Sequence, residues 1–230
     1  FFDLNIFSGF KRSEDWFLKP SYYFQKTKNE SKGLNLTLRN NILSKFMIGY
    51  TLGFLETNNG LFDNRFNGAF SIIEDTKSIF SSISFKSSLA KELSFIGSIN
   101  YSNSSNINSD KIIKNISGLE EFSFDFALIK KSLFYKNDFL SFRIKQDPRI
   151  EKARVSLNIP KGRNPNGVVE FKSVTLPIIP SGREINFETS WSFHRDNRKS
   201  FINLSFIDDK NHIKSKDIEI NLIFAHQRFF

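Results

Sequence analysis

Residues 46–55, FMIGYTLGFL, decide the fold, because large apolar and small residues alternate along the whole stretch. The large members of the alternation are Phe46, Ile48, Tyr50, Leu52 and Phe54. Glycine and threonine fill most of the positions between them. A β-strand places successive side chains on opposite faces, so this period of two predicts a strand with one apolar face and one small or polar face.

The same alternation recurs along most of the chain, and we find no comparable period of 3.6 residues. The further segments are Leu34–Leu38, Phe66–Ile72, Ile79–Phe85, Leu93–Tyr101, Phe122–Leu128, Leu140–Ile144, Ala153–Ile159, Ile185–Phe193 and Ile202–Phe206. Turn signals separate them, namely ETNNG (56–60), NPNG (164–167), PSG (180–182) and DDKN (208–211), and SNSSNINSDK (102–111) predicts a longer loop. We therefore predict one all-β domain over residues 1–230, with about 12 strands and a range of roughly 10–14.

Composition limits the chemistry of the chain. Its 230 residues include no cysteine, which excludes disulfides, thiolate metal sites and cysteine nucleophiles. The net charge of +9 permits contact with anions, but lysines and arginines are scattered, as on a solvated surface. The only methionine is Met47, so we expect the chain to be a fragment of a longer protein. No apolar run approaches the ~18 residues of a membrane helix.

Two architectures are compatible with amphipathic strands. A soluble sandwich buries the apolar faces between two sheets, whereas a transmembrane barrel turns them toward lipid and encloses a polar lumen. Strand length favours a closed antiparallel transmembrane barrel, because several alternating segments extend over the ~9–11 residues that a tilted strand needs to cross the hydrocarbon. The polar faces carry both signs of charge, and the predicted lumen-facing residues are Arg143, Lys145, Arg154, Glu184 and Glu188.

The end of the chain, DIEINLIFAHQRFF (217–230), continues the alternation to the last residue. In a closed barrel the last strand pairs with the first, which leaves no open edge. A final strand that is apolar at alternate positions and ends in phenylalanine is also typical of the signal read by the bacterial barrel-assembly machinery. The residues predicted to form this signal are Ile218, Ile220, Leu222, Phe224 and Phe230.

Three groups of short motifs follow one another between residue 142 and the end of the chain. FRIKQDPRI (142–150) leads into VSLNIP (155–160). Next comes the turn Pro180, Ser181, Gly182, Arg183, followed by Glu184 and by the ExxW-like pair Glu188 and Trp191. Last comes Asp209-Lys210-Asn211-His212, ahead of a strand that ends with Arg228 and Phe230.

This order resembles the C-terminal translocator barrels of autotransporters, particularly those that follow subtilisin-like serine peptidase passengers in Gram-negative bacteria. The resemblance covers about residues 118–230. It implies an integral outer-membrane location and a role in anchoring and translocating an upstream passenger. The implied partners are that passenger, the barrel-assembly machinery, and outer-membrane lipid and lipopolysaccharide.

The residues themselves point to no catalytic activity in this segment. His194, His212 and His226 are isolated, and no zinc-binding spacing or nucleophile elbow is present. Glu184 and Glu188 share a strand face, which fits lumen-lining charge better than acid–base catalysis. We therefore predict no cofactor, no metal and no enzyme activity.

Aromatic and charged residues lie on opposite strand faces, which argues against base stacking and hence against nucleic acid as a partner. Lysines in polar loops are candidates for lipopolysaccharide phosphates, namely Lys111, Lys114, Lys199 and Lys210. Two alternatives to the translocator stay open. One is a stand-alone porin-like or structural barrel, and the other, less favoured, is a soluble β-sandwich binding module.

Overall fold

The computed structural model describes residues 10–13, 16–26, 30–43, 45–57, 76–105, 107–108, 112–195 and 198–228. This part of the chain is all-β, as predicted, and contains strands β1 (Phe10–Ser13), β2 (Trp16–Lys26), β3 (Glu30–Leu43), β4 (Phe46–Thr57), β5 (Thr76–Ala90), β6 (Leu93–Ser104), β7 (Ile107–Asn108), β8 (Ile113–Lys131), β9 (Asp138–Arg163), β10 (Val169–Pro177), β11 (Ile185–Arg195), β12 (Arg198–Asp208) and β13 (Glu219–Arg228). A single 3-10 turn, Lys210–His212, separates the last two. None of the described segments is a helix long and apolar enough to cross a membrane.

All of these strands belong to one antiparallel sheet in the order β1-β2-β3-β4-β5-β6-β8-β9-β11-β12-β13. The short strand β7 pairs with β8, and β10 pairs with the second half of β9. The described pairings end with β1 on β2 and β13 on β12, and they include no ladder between β1 and β13. The predicted antiparallel sheet is therefore confirmed, whereas its closure into a barrel is not established by these pairings.

Most predicted strand segments fall inside observed strands, with four differences. Phe66–Ile72 lies outside the described residues. The two segments at 140–144 and 153–159 belong to the single strand β9, which bends at irregularities in its pairing with β8. The loop prediction at 102–111 was partly wrong, because residues 102–104 still pair with β8 as the end of β6. Strands β1, β2, β7 and β10 were not predicted.

The register assigns one chemical character to each face of the sheet, because directly paired residues of antiparallel strands point to the same side. The apolar face runs from β3 to β13 through Leu34, Leu36, Tyr50, Leu52, Phe54, Ile79, Ile83, Phe85, Phe95, Ile99, Tyr101, Phe124, Phe126, Leu140, Phe142, Ile144, Phe187, Trp191, Leu204, Phe206, Ile220, Leu222 and Phe224. The polar face carries Asn35, Thr37, Thr51, Ser82, Ser84, Ser98, Asn100, Ser123, Asp125, Ser141, Arg143, Lys145, Asn186, Glu188, Ser190, Asn203, Ser205 and Asn221, with exceptions such as Phe80 and Ile223.

Exposure of the two faces is the reverse of that in a water-soluble sheet. On the apolar face, Leu52, Ile83 and Phe187 are 47%, 44% and 50% exposed. On the polar face, by contrast, Ser123 and Asn186 are buried. One face of the sheet therefore exposes many of its large apolar side chains, while the other buries several of its polar ones.

The connections differ in length between the two ends of the sheet. At one end, which we call the short-turn end, residues 44–45, 91–92, 132–137 and 196–197 connect successive strands. At the opposite, long-loop end, the described connections include the stretch around β7, the stretch 164–184 that contains β10, and residues 209–218. The predicted turns at 164–167, 180–182 and 208–211 are confirmed at this end, while residues 58–60 of the ETNNG turn lie outside the described residues.

Candidate functional site

Arg143 is the centre of an ion-pair network on the polar face. Its Nε donates to Asp125 Oδ1 on β8 at 2.7 Å, and its Nη2 donates to the other oxygen of the same carboxylate. Its Nη1 donates to Glu188 Oε2 on β11 at 3.4 Å. One guanidinium therefore links three neighbouring strands, and such bidentate pairing also fixes its orientation.

Lys145 and Asn186 extend this network along β9 and β11. Lys145 Nζ lies 3.7 Å from Glu188 Oε1 and 3.5 Å from Asp147 Oδ1. Asn186 Nδ2 donates to Glu188 Oε1 at 2.9 Å. The Oδ1 atom of Asn186 is buried and has no hydrogen-bond partner among the described residues.

Hydrogen bonds between side chains join the other strands across the same face. The pairs are Thr37–Thr51, Ser78–Ser104, Asn100–Ser123, Ser102–Glu121 and Asn203–Ser190. A cavity of about 470 Å³ lies against this surface, lined by the polar residues Ser84, Ser98, Asp125, Ser141 and Arg143 and by apolar ones such as Ile96, Ala127 and Ile129. The polar face is thus mixed in charge and cross-linked by hydrogen bonds between its strands.

A second polar cluster lies at the long-loop end, where two loops fold onto β9. We call it the Arg149 cluster, formed by residues 146–151 of β9, Pro180–Glu184 and Asp209–Ser215. The three parts of the cluster overlap the family-like stretches 142–150, Pro180–Glu184 and Asp209–His212, and they are in direct contact with one another. Hydrogen bonds from side chains to the backbone connect residues here that are 33 and 64 positions apart in the sequence.

Arg149 is buried and binds two carbonyl groups of the first loop. Its Nε donates to the Gly182 oxygen at 2.8 Å, and its Nη2 donates to the Pro180 oxygen at 2.9 Å. Its Nη1 donates to Glu151 Oε2, also at 2.8 Å. The buried guanidinium therefore has acceptors for its hydrogen bonds and a carboxylate to balance its charge, as burial of a charge requires.

Arg183 reinforces the same contact from the loop side. Its Nη1 donates to Gln146 Oε1 at 2.6 Å, and its Nη2 donates to Glu151 Oε2 at 2.9 Å. Gln146 is only 1% exposed and donates in turn to the Phe122 carbonyl at 3.0 Å. The loop is therefore tied through β9 to β8.

Asp209 fastens the second loop to the first. Its carboxylate accepts from the Ser215 amide at 2.7 Å and from the Arg183 amide at 3.0 Å. These two backbone donors hold the pKa of the Asp209 carboxyl below its usual value. A Cβ at Gly182 would lie 2.6 Å from the Lys214 nitrogen, so only glycine allows the two loops to approach this closely.

His212 connects both loops with β9. Its Nδ1 accepts from the Glu184 amide at 2.9 Å, which places the proton of a neutral ring on Nε2. That atom lies 3.2 Å from the Pro148 carbonyl oxygen and donates to it. Both ring nitrogens therefore have structural partners within the cluster.

The structure brings together three of the five charged residues that were predicted to share a lumen. Arg143, Lys145 and Glu188 form the network on the polar face. Arg154 lies apart and exposed, where β9 pairs with β10. Glu184 precedes β11, and its Oε2 accepts from the Asn211 amide at 2.6 Å, which places it in the Arg149 cluster.

The neighbours Arg183 and Glu184 have different partners: Arg183 pairs with Glu151, and Glu184 accepts from the Asn211 amide. Within the terminal segment, Ile220, Leu222 and Phe224 lie exposed on the apolar face of β13. Ile218 is exposed just before β13, and Phe230 lies outside the described residues. His194 belongs to β11, and His226 Nδ1 lies 2.8 Å from Ser200 Oγ.

Sequence reasoning missed Asp125, Gln146, Arg149 and Glu151. Asp125 was visible on the polar side of the Phe122–Leu128 alternation, opposite an arginine-bearing strand. The other three sit where β9 departs from strict alternation, at Gln-Asp-Pro-Arg, so a period-two search passes over them. No family model, curated protein or solved structure matches the chain, so function must be argued from this geometry.

Replacing Arg149 with Gln should destabilise the long-loop end, because the carbonyls of Pro180 and Gly182 and the Glu151 carboxylate lose their buried cationic donor. We expect a loss of about 2–4 kcal/mol in the free energy of unfolding. Arg163→Gln is the matched control, since Arg163 is exposed and donates only to the Gly167 carbonyl. Denaturant midpoints measure both, and equal midpoints for the two variants would show that the cluster is dispensable.

Asp209→Asn should weaken the fold at neutral pH and leave it unchanged in acid. Because the folded-state pKa lies below the ordinary value of about 3.9, the ionised carboxylate contributes stability that is complete above that value and is lost as pH falls through the folded pKa. Denaturant midpoints from pH 7 down to about 2 should therefore converge with those of the native chain. Asp217→Asn, in the same loop, is the control, and a constant difference at all pH values contradicts the assignment.

Proposed function

We propose that the sheet closes into a transmembrane barrel of about 12 strands in a bacterial outer membrane. The observation that carries the proposal is the inverted exposure, with aliphatic and aromatic side chains outward on every strand from β3 to β13 and polar side chains enclosed. In water, exposing such a large apolar surface is unfavourable in free energy, whereas contact with lipid removes that penalty. An enclosed polar face is equally the expected lining of a barrel lumen.

Strand and loop dimensions support the same proposal. The strands β2 to β6, β8, β9 and β11 to β13 have at least 10 residues each, enough for a tilted strand to cross the hydrocarbon. Short turns at one end and long loops at the other are typical of outer-membrane barrels, where the short turns face the periplasm. In the soluble-sandwich alternative a second sheet should cover the apolar face, yet the described strands form one sheet with that face exposed.

Within this class, we propose a translocator of the autotransporter type, which anchors an upstream passenger and helps it reach the cell surface. The support is the resemblance of residues 118–230 together with the mutual contact of its three characteristic stretches in the Arg149 cluster. The polar face adds an open cavity of about 470 Å³, lined among others by Asp125, Ser141 and Arg143, which suits an extended polypeptide as lumen occupant. The passenger, which the resemblance implies to be a subtilisin-like peptidase, would supply any catalytic activity.

The same proposal assigns the remaining partners. The β13 residues Ile220, Leu222 and Phe224 would be read by the barrel-assembly machinery and then face lipid. Exposed lysines of the long-loop end, such as Lys114, would meet lipopolysaccharide phosphates. Lys210 is less available, because its Nζ already pairs with Glu219 at 2.7 Å, and Lys199 lies at the short-turn end.

Lysine on the apolar face distinguishes a lipid-facing surface from a solvated one. We expect Ile83→Lys to cost about 2–4 kcal/mol if the face lies in hydrocarbon, and almost nothing if water covers it. Ser82→Lys, one residue away on the polar face, is the matched control and should be tolerated. The readout is the fraction of protein in isolated outer membranes that migrates faster on a detergent gel before boiling than after it.

A heat-modifiable band for the native chain and the Ser82 variant, but not for the Ile83 variant, supports the barrel. A soluble chain whose mobility ignores boiling, or an Ile83 variant that folds as well as its control, contradicts it.

Translocation needs a separate test. An epitope joined upstream of the chain, behind a secretion signal, should be accessible to antibody and to added protease on intact cells. The Ile83→Lys variant should abolish this display and Ser82→Lys should retain it. A heat-modifiable barrel that never exposes the epitope favours the stand-alone porin-like alternative.

A further inference from the structure

The turn between β8 and β9, residues 132–137, is organised by one buried carboxylate. Asp138 is 0% exposed, and its oxygens accept from the amides of Leu133, Phe134 and Tyr135 at 2.7, 3.0 and 3.3 Å. Ser132 and Asn137 bracket the turn with positive φ values of 50° and 72°. Such a conformation persists only where surrounding bonds enforce it, so the turn has a defined shape.

The same carboxylate ties the turn to the apolar face of the sheet. Trp191 Nε1 on β11 donates to Asp138 Oδ2 at 3.1 Å. Around this indole, the ring of Phe134 packs edge-on with centroids 5.8 Å apart, Tyr135 stacks at 6.4 Å and Phe193 packs at 4.9 Å. The turn thus forms an aromatic cluster at the border of the apolar face.

The tip of this turn is nevertheless open to its surroundings. Leu133, Phe134 and Tyr135 are 43%, 66% and 60% exposed, although each backbone amide is satisfied by Asp138. Asp138 therefore holds the backbone of the turn in a shape that leaves the side chains of these three consecutive residues exposed. Exposed apolar surface of this kind, built on a rigid support, marks an interaction site.

Among the described side chains of the short-turn end, cations outnumber acids. Cationic side chains described at the short-turn end are those of Lys45, Lys91, Lys130, Lys131, Lys136, Arg198, Lys199 and Arg228. Acidic side chains described there are only Glu92 and the buried Asp138, and Glu92 Oε2 lies 3.9 Å from Lys130. Most other acids of the described chain lie toward the long-loop end, including Glu56, Glu121, Glu151, Glu170, Glu184, Asp209, Asp217 and Glu219.

We propose that residues 132–138, with Trp191 and the surrounding lysines, form an anchor for anionic phospholipid at the membrane–water interface of the short-turn end. The inference rests on the proposed membrane barrel and specifies which lipid that end binds. Tryptophan and tyrosine prefer the headgroup level, where an apolar ring and a polar edge are both accommodated. Clustered lysines attract anionic headgroups beside them. Because short turns face the periplasm in such barrels, the partner is phospholipid of the inner leaflet rather than lipopolysaccharide.

Fluorescence of Trp191 can report the lipids that touch it. Trp16→Phe removes the other indole, so the emission of the variant chain belongs to Trp191. The full chain is inserted into phosphatidylcholine vesicles that contain a minor fraction of either brominated phosphatidylglycerol or brominated phosphatidylcholine. Bromine quenches indole emission only in near contact, so the ratio of the two quenching curves measures local enrichment of the anionic lipid.

We expect brominated phosphatidylglycerol to quench more strongly, with an apparent preference on the order of fivefold for each lysine–headgroup contact. Replacing Lys130, Lys131 and Lys136 together with Gln should bring the ratio close to one. Lys161, Lys172 and Lys216, which are exposed at the long-loop end, provide the control triple, and their replacement with Gln should leave the ratio unchanged.

Two results would overturn the anchor. Equal quenching by both lipids would remove the anionic preference, and quenching by aqueous iodide instead of either lipid would place the turn in water. Heat-modifiability is recorded on the same samples, so that the two proposals are tested separately. A heat-modifiable chain with no lipid preference refutes only the anchor, whereas a chain that never becomes heat-modifiable refutes the barrel.

Discussion

The bonds that Arg143 makes to Asp125 and Glu188 set the register on which the sheet depends. A shift of one residue between neighbouring strands would turn every polar side chain outward and every large apolar one inward. The pairing of one guanidinium with carboxylates on both sides opposes such a shift from β8 through β9 to β11. Hydrogen bonds between hydroxyl and amide side chains on the other strands oppose a shift of register in the same way, although each is weaker than the ion pairs of Arg143.

The long-loop end depends on a departure from that regularity. The pairing of β9 with β8 is regular up to Phe124 and Gln146 and then shifts, so that the next paired residues are Phe122 and Arg149. There Arg149 donates hydrogen bonds to two carbonyl groups of the first loop. Asp209, in the second loop, accepts a hydrogen bond from the backbone of the first. The regular sheet thus supplies a fixed platform, and the irregular stretch of β9 supplies the groups that hold the loops upon it.

Sequence alone predicted the all-β class, most strands and the chemistry of the two faces, because each follows from a period of two within one segment. It did not predict β10, whose apolar residues Val169, Phe171 and Leu176 keep no single parity, or β2, where Phe17 and Tyr23 break the alternation of Leu18, Tyr22 and Phe24. Nor could it pair Arg183 with Glu151, since these residues are 32 positions apart and meet only after both loops close. Local pattern predicts local structure, whereas contacts between loops follow from the register of the whole sheet.

The two ends of the sheet solve the same electrostatic problem in different ways. At the long-loop end, acids and bases occur together and neutralise one another, as in the shared Glu151 carboxylate of Arg149 and Arg183. At the short-turn end the buried acid, Asp138, is satisfied by amides and an indole rather than by a cation. Its charge therefore shapes the turn without consuming the neighbouring lysines. A cationic, aromatic surface can therefore persist at this end, where the described acids are Asp138, which bonds to no cation, and Glu92, whose Oε2 lies 3.9 Å from Lys130.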